Sequence, residues 1–255
     1  MVQYELLHEQ NLWKGDIFMS LIEWNKKKVV FFDLDGTLTN PGTGITNSVM
    51  YALESFGIRV TDRSELYKFI GPPLQQSFEV FCGFNKSKAV RAVELYREYF
   101  RDRGIYENEI YDGIRELLET LKRQGKVIGL ATSKPEVFAR QILEHFDLMG
   151  YFDFISGSLL SGERSDKGEV IEWAFHLLKS KTGGEFKRED VVMVGDREHD
   201  VIGAEKNRIS SIGVLFGYGS RDELVEAGAD AVALSVSELS EMLTGKKAGE
   251  VSDEV

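Results

Sequence analysis

Basic residues are in short supply: 31 Lys and Arg stand against 42 Asp and Glu, a formal charge of −11 over 255 residues. Affinity for a nucleic-acid polymer rests on basic patches, so that class of partner is excluded. The one basic run, Lys26-Lys27-Lys28, reads as the solvated flank of an apolar stretch. Cysteine is nearly absent. With Cys82 alone an internal disulfide is impossible, and nothing points to an oxidising compartment; Cys82 reads as a small apolar filler. No window approaches the ~18 consecutive apolar residues of a membrane span. Met1 to Glu5 lack the basic start of a secretory signal, and no apolar stretch of signal length follows. Internal repeats and low-complexity tracts are missing too. These absences predict a cytoplasmic protein, monomeric or homodimeric, with no membrane or nucleic-acid partner.

What is present is an ordinary globular composition, 42% hydrophobic, at a length suited to one large domain or a core with an insertion. Five short apolar runs recur: Val29–Phe32, Val127–Ala131, Val191–Val194, Ile212–Phe216 and Ala231–Leu234. Runs of this length without polar alternation fit strands buried on both faces. Helical spacing separates them, at Ile114/Leu117/Leu118/Leu121, Val137/Ile142/Leu143/Phe146 and Val170/Ile171/Ala174/Leu177/Leu178. The alternation predicts an α/β fold, a doubly wound, mostly parallel, Rossmann-like sheet.

The interval from Gly44 to Tyr111 breaks that rhythm. Val49/Leu53/Phe56, Leu66/Phe69/Ile70 and Val93/Tyr96/Phe100 all lie at helical spacing, with Gly71-Pro72-Pro73 as a rigid turn. The expected organisation is an N-terminal extension at 1–24 and a core at 25–43 and 112–243. An all-helical insertion occupies 44–111, and a disordered tail 244–255. Gly42-Thr43-Gly44 is expected to be a flexible link into the insertion.

Open parallel sheets bind ligands beyond the carboxyl ends of their strands. After the first run comes Asp33-Leu34-Asp35-Gly36-Thr37-Leu38, and residues i and i+2 of an extended segment share a face. After the second comes Thr132-Ser133-Lys134. Ser165-Asp166-Lys167-Gly168 precedes a helix, and Gly195-Asp196 with Asp200 follows the third run. Acids gathered on one sheet edge repel unless a hard cation neutralises them, and Mg²⁺ is the usual choice beside phosphate. Lys167 and the Thr132 hydroxyl then face an anionic substrate. The ensemble reads as phosphoryl chemistry with a carboxylate nucleophile. His199, between two acids, reads as a loop residue that shapes the site. His8, His145 and His176 read as surface or packing residues.

These motifs, in this order, resemble the haloacid dehalogenase superfamily, and the resemblance covers about residues 28 to 240. Asp33-Leu34-Asp35-Gly36-Thr37-Leu38 is similar to its first motif and Thr132 to its second. Lys167 matches the third, and Gly195-Asp196 with Asp200 the fourth; the helical insertion looks like its C1 cap. The resemblance implies that Asp33 attacks phosphorus and that Asp35 protonates the leaving oxygen. Mg²⁺ would lie on Asp33, the Asp35 backbone carbonyl, Asp196 and Asp200. Thr132, Ser133, Lys167, Gly36 and Thr37 would take the phosphoryl oxygens. Asp35 favours an oxygen leaving group over a halide.

Phe69-Ile70-Gly71-Pro72-Pro73-Leu74, Ala131-Thr132-Ser133-Lys134-Pro135 and Gly195-Asp196-Arg197-Glu198-His199-Asp200 are similar to the phosphoglycolate phosphatase and 5′-nucleotidase-like branch. Ser133, where many phosphoglycolate phosphatases have Asn, leans away from glycolate. The implied partner is a small phosphorylated metabolite, with nucleoside monophosphates ahead of phosphoglycolate. A pyrophosphatase, a phosphosugar mutase and a non-catalytic binding protein on the same core are the alternatives.

Overall fold

A computed structural model of the chain describes residues 22–184 and 186–246. The expected N-terminal extension lies outside the described residues apart from 22–24, and the expected tail apart from 244–246.

Strand β1 (Val29–Phe32) leads to the short β2 (Thr39–Asn40). Helices α1 (Gly42–Glu54), α2 (Leu74–Cys82) and α3 (Lys86–Tyr99) follow, with a 3-10 segment at Arg63–Phe69 and a π turn at Phe100–Gly104. Then come β3 (Glu109–Ile110), α4 (Ile114–Arg123), β4 (Val127–Pro135), α5 (Glu136–His145), β5 (Phe154–Ser158) and α6 (Lys167–Thr182). The chain continues through β6 (Val191–Gly195), α7 (Glu198–Lys206), β7 (Ser210–Val214), α8 (Arg221–Glu226), β8 (Ala231–Ala233) and α9 (Val236–Thr244). Six strands form one sheet in the order β5-β4-β1-β6-β7-β8, and every pairing is parallel. The doubly wound sheet is therefore as expected.

Alternate residues of the strands face opposite layers, as the two-residue period requires. Val30, Phe32, Ile128, Leu130, Val192 and Val194 pack with the apolar faces of α4, α5 and α9. Val29, Phe31, Val191 and Met193 pack with α6 and with Ala204 of α7. Helix α4 buries Ile114, Leu117, Leu118 and Leu121, one stripe at helical spacing. Leu118 is fully buried, so Leu118→Ala is expected to cost about 2–5 kcal/mol through lost burial and a residual cavity. Chemical denaturation checks this, and a loss below about 1 kcal/mol would contradict it.

Three expectations need correction. Strand β5 was not anticipated. Its Phe-Ile-Ser-Gly-Ser sequence carries only two apolar residues, and it pairs at the sheet edge with β4. The Gly42-Thr43-Gly44 stretch is the first turn of α1 rather than a flexible link. Both glycines are buried, and a Cβ at Gly44 would overlap the Gly104 carbonyl. Close approach of α1 to the π turn requires the missing side chain. Finally, Lys27 is not solvated: its Nζ donates to the Glu189 carbonyl at 2.8 Å and Ser210 Oγ at 2.9 Å, tying β1 to later strands. Lys26 and Lys28 do remain exposed.

Strand β2 pairs antiparallel with β3. These two strands form a separate ribbon outside the six-stranded sheet, and the helical segment leaves and returns through it. At the carboxyl ends, β1 lies between β4 and β6, where the strand order reverses; that is where such sheets bind ligands.

Candidate active site

Asp33 directly follows β1, and its N–H donates to the Val194 carbonyl at 2.9 Å, extending the β1–β6 ladder to the residue that carries the carboxylate. Asp196 follows β6, and Asp200 lies in the first turn of α7. Their side chains converge: one oxygen from each of Asp33, Asp196 and Asp200 lies within 4.8 Å of the others, and all three residues are buried. Lys167, the first residue of α6, places Nζ 2.7 Å from an oxygen of Asp33 and 2.7 Å from one of Asp200. It also donates to the Ala131 carbonyl at 3.0 Å. Asp166 caps α6 through the Gly168 N–H. Gly203 of α7 lies against the Lys167 stem, where a Cβ would stand 2.7 Å from its Cγ.

Three carboxylates against one ammonium leave two negative charges without a partner in the cluster. One buried oxygen, Asp196 Oδ1, has no hydrogen-bond partner among the described residues. Buried polar atoms are rarely left unmade, because the desolvation cost is then uncompensated. An all-oxygen donor set with a twofold negative excess fits a hard divalent cation.

The electrostatics agree. Burial first, then Asp200 and Asp33, push Asp196 well above the usual carboxylate range. Burial also raises Asp200, against the pull of Lys167. Burial works against charge on Lys167 as well, but Asp200 and Asp33 outweigh it and hold the ammonium above the usual lysine range.

Glycine shapes the walls. Gly36 has φ +83°, and a Cβ there would overlap the Asp196 carboxylate. Two backbone donors orient the acids: Tyr218 N–H to Asp196 Oδ2 at 2.8 Å, and Arg197 N–H to Asp200 Oδ2 at 3.1 Å. The same two residues reach the helical segment. Arg197 donates to the Ile70 carbonyl at 2.7 Å and pairs with Glu223 at 2.7 Å. The Tyr218 ring meets Tyr67 edge-on at 5.5 Å, and its hydroxyl contacts Asn40 Oδ1. Both residues fall in sequence motifs, but their reach to the helical segment is not legible there, since their partners are far away along the chain.

Asp35 stands apart from the carboxylate cluster. Its Oδ2 accepts from Lys134 Nζ at 2.6 Å, and its Oδ1 has no partner among the described residues. Burial raises its pKa, with Lys134 opposing and Asp33 adding. Asp35 lines a cleft of about 500 Å³ together with Ser133 and Lys134 from the sheet side, and Phe69, Tyr96 and Phe100 from the helical segment. Pro72 and Pro73 line it too. Arg91 does not; it pairs with Glu94 on the surface. Thr132 is buried, with Oγ1 accepting from the Lys134 N–H at 3.2 Å. Thr37 is fully buried, its hydroxyl without a partner among the described residues. His199 stays outside the carboxylate cluster, and Cys82 is half-buried in apolar packing. Lys134 had a readable signal: it follows Thr132 by two residues, the spacing that also separates Asp33 from Asp35.

Comparison with known proteins agrees with this arrangement. Residues 30–214 match the family described as haloacid dehalogenase-like hydrolase. The chain is 49% identical over 195 residues to a 5′-nucleotidase of Pseudomonas aeruginosa, covering 76% of this chain and 86% of that protein. It is 36% identical over 218 residues to the tyrosine-protein kinase PtkA of Mycobacterium tuberculosis, covering 85% and 72%. The crystal structure of a predicted phosphatase from Clostridium acetobutylicum matches with a TM-score of 0.82 at 49% identity, covering 86% of this chain and 99% of that one. The family match takes in every acid and lysine of the site, and the chain belongs to the haloacid dehalogenase-like hydrolases, as a phosphatase of that family.

Proposed function

We propose that the protein is a Mg²⁺-dependent phosphatase that hydrolyses small phosphomonoesters through an aspartyl-phosphate on Asp33. Nucleoside 5′-monophosphates are the preferred substrates and phosphoglycolate comes second. The observation that carries the mechanism is the division of surroundings between two neighbouring carboxylates. Asp33 lies in the acid cluster with an oxygen 2.7 Å from Lys167 Nζ. Asp35 is buried at the cleft with its pKa raised. Two carboxyl groups in such different surroundings take different roles, one as nucleophile and one as acid.

In the first half-reaction an oxygen of Asp33 attacks phosphorus, the bond to the ester oxygen breaks, and Asp35 gives that oxygen its proton. In the second, Asp35 takes a proton from water and the water oxygen attacks the same phosphorus. The bond to Asp33 breaks, restoring its carboxylate and releasing phosphate. A positioned acid/base of this kind contributes roughly 10²–10⁴-fold. Lys167, Thr132 and Ser133 take the phosphoryl oxygens; the amides of Gly36 and Thr37, expected beside them, are instead engaged in the turn, donating to the Thr39 carbonyl at 2.8 Å and the Leu34 carbonyl at 3.3 Å. Mg²⁺ would be held by Asp33, Asp196, the Asp35 backbone carbonyl and Asp200, and would supply positive charge beside the phosphoryl group. Residues 44–111 act as a cap over the core of 25–43 and 112–243, shielding the aspartyl-phosphate and choosing the leaving group.

A cleft of about 500 Å³, walled by Phe69, Tyr96, Phe100 and Phe138, supports a leaving group larger than glycolate. The name of the Pseudomonas aeruginosa relative, a 5′-nucleotidase, supports the nucleotide class. The test is release of inorganic phosphate, with Mg²⁺ present, from nucleoside 5′-monophosphates, phosphoglycolate, sugar phosphates and pyrophosphate. Nucleotides are expected to give the highest kcat/KM. A preference for pyrophosphate or phosphoglycolate would overturn the substrate assignment, and no release from any monoester would overturn the activity.

A further inference from the structure

Each of the two aspartates after β1 has its own buried lysine. Lys167 serves Asp33, and Lys134 serves Asp35 at 2.6 Å, with side-chain exposures of 6% for Lys134 and 10% for Asp35. The second pair has no place in the chemistry described so far. Lys134 sits at the end of β4, and its N–H is fixed to Thr132 Oγ1. Its ammonium lies 4.7 Å from the centre of the Phe100 ring, which belongs to the helical segment. Phe100 is itself held, stacked on Tyr96 at 5.3 Å and edge-on to Phe138 at 5.5 Å. The lysine is therefore clamped between the sheet edge and the helical segment, and its one carboxylate contact among the described residues is Asp35 Oδ2.

A free aspartate side chain rotates among several staggered positions. One oxygen pinned by a short, charge-assisted hydrogen bond leaves the carboxyl a single orientation, and the second oxygen, Oδ1, is left without a partner among the described residues. Proton transfer demands such fixed geometry, since small misplacements of a reacting group are costly.

We propose that Lys134 is a positioning residue for Asp35, holding one carboxyl oxygen so that the other meets the leaving-group oxygen of the ester. Phe100 covers the Lys134 ammonium, so the clamp is complete only with the helical segment in place. This rests on the reading of Asp35 as the acid of the first half-reaction.

The two esters of the test differ in whether the leaving oxygen needs a proton. p-Nitrophenolate leaves without one, and an alkoxide does not. kcat/KM reports the step that breaks the ester bond, so it is measured for p-nitrophenyl phosphate and for a simple alkyl phosphate. The variants, made in the full chain, are Lys134→Met, Lys134→Gln and Asp35→Asn. Lys134→Met is expected to lower kcat/KM for the alkyl ester by about 10²-fold. It should lower the value for the nitrophenyl ester by less than about tenfold, with the inhibition constant of inorganic phosphate unchanged. Lys134→Gln, which keeps a hydrogen-bond donor, should recover part of the alkyl-ester loss. It also carries the test if the methionine variant does not fold.

Equal losses on both esters, alongside a clear asymmetry in Asp35→Asn, would show that Lys134 only supports the fold and would overturn the proposal. Weakened phosphate inhibition would make Lys134 a substrate contact and overturn it too. Absence of asymmetry in Asp35→Asn itself would remove the acid role of Asp35, and the proposal with it.

Discussion

Replacing Asp33 by Asn is expected to lower hydrolysis of p-nitrophenyl phosphate by roughly 10⁴-fold or more, the scale seen when a catalytic nucleophile is removed. The amide has the shape of the carboxylate but offers no anionic oxygen to attack phosphorus. The fold should survive. The Asp33 N–H still donates to Val194, and Lys167 keeps Asp200 at 2.7 Å. The change also removes one of three crowded acids, so the melting temperature of the metal-free variant should equal or exceed that of the parent. Product release and thermal melting measured on the same preparation separate the two effects. Near-normal turnover would remove Asp33 from the nucleophile's role, whereas lost turnover with a collapsed melting curve would show only that the residue is structural.

Removing divalent cations with EDTA is expected to take activity to background, and added Mg²⁺ to restore it. The accompanying effect on stability has a definite sign. In the cation-free protein burial raises Asp196 and Asp200 above their unfolded values, each also raised by neighbouring acids. Asp35 is raised as well. From the ordinary carboxylate pKa of about 4 upward to the raised folded values, the folded state therefore holds more protons than the unfolded one. Stability then falls as pH rises through that window. A cation that binds the ionised acids reverses this cost. At about a hundred times its dissociation constant it adds about 2.7 kcal/mol, or roughly 5–10 °C in melting temperature. That increment should be larger at pH 8 than at pH 5.5, where protons compete for the same oxygens. Carboxylates with lowered pKa, such as the exposed Asp62 and the partly buried Asp190, run the other way. They are present with and without Mg²⁺ and cancel in the difference. An increment independent of pH, or activity indifferent to chelation, would contradict the cation site.

The fold and the acids were legible because their signals are local. Val29–Phe32 and Val191–Val194 are unbroken apolar runs, Asp33 and Asp196 stand directly after strands, Asp35 lies two residues past Asp33, and Thr132 lies within β4. Strand β5 was hidden because its partners, not its composition, make it a strand. Gly129 leaves room for the Phe154 ring, which also meets Phe31 edge-on at 5.7 Å. Lys27 looked like a solvated residue until its acceptors, more than 160 positions away, came into reach. Arg197 and Tyr218 likewise owe their place to Ile70, Tyr67 and Asn40. Lys134 lies between these cases. Its spacing from Thr132 was readable, but its pairing with Asp35 depends on how β1 and β4 lie side by side.

The two-stranded ribbon has a consequence for inheritance. Asn40 and Glu109 face each other across β2 and β3, so everything between them hangs from two neighbouring posts. Such a segment tolerates growth, trimming or replacement, because each doubling of a loop's length adds only about 0.6 kcal/mol of closure entropy. The sheet and its acids would be untouched by the exchange. What is not exchangeable is a short list of contacts made by the incoming segment, such as the Ile70 carbonyl that receives Arg197 and the Phe100 ring over Lys134. A descendant with a new insert must rebuild those or surrender the geometry they impose. On the proposed role of residues 44–111 as a cap, selectivity can change by recombination in this architecture while the carboxylate cluster stays in place.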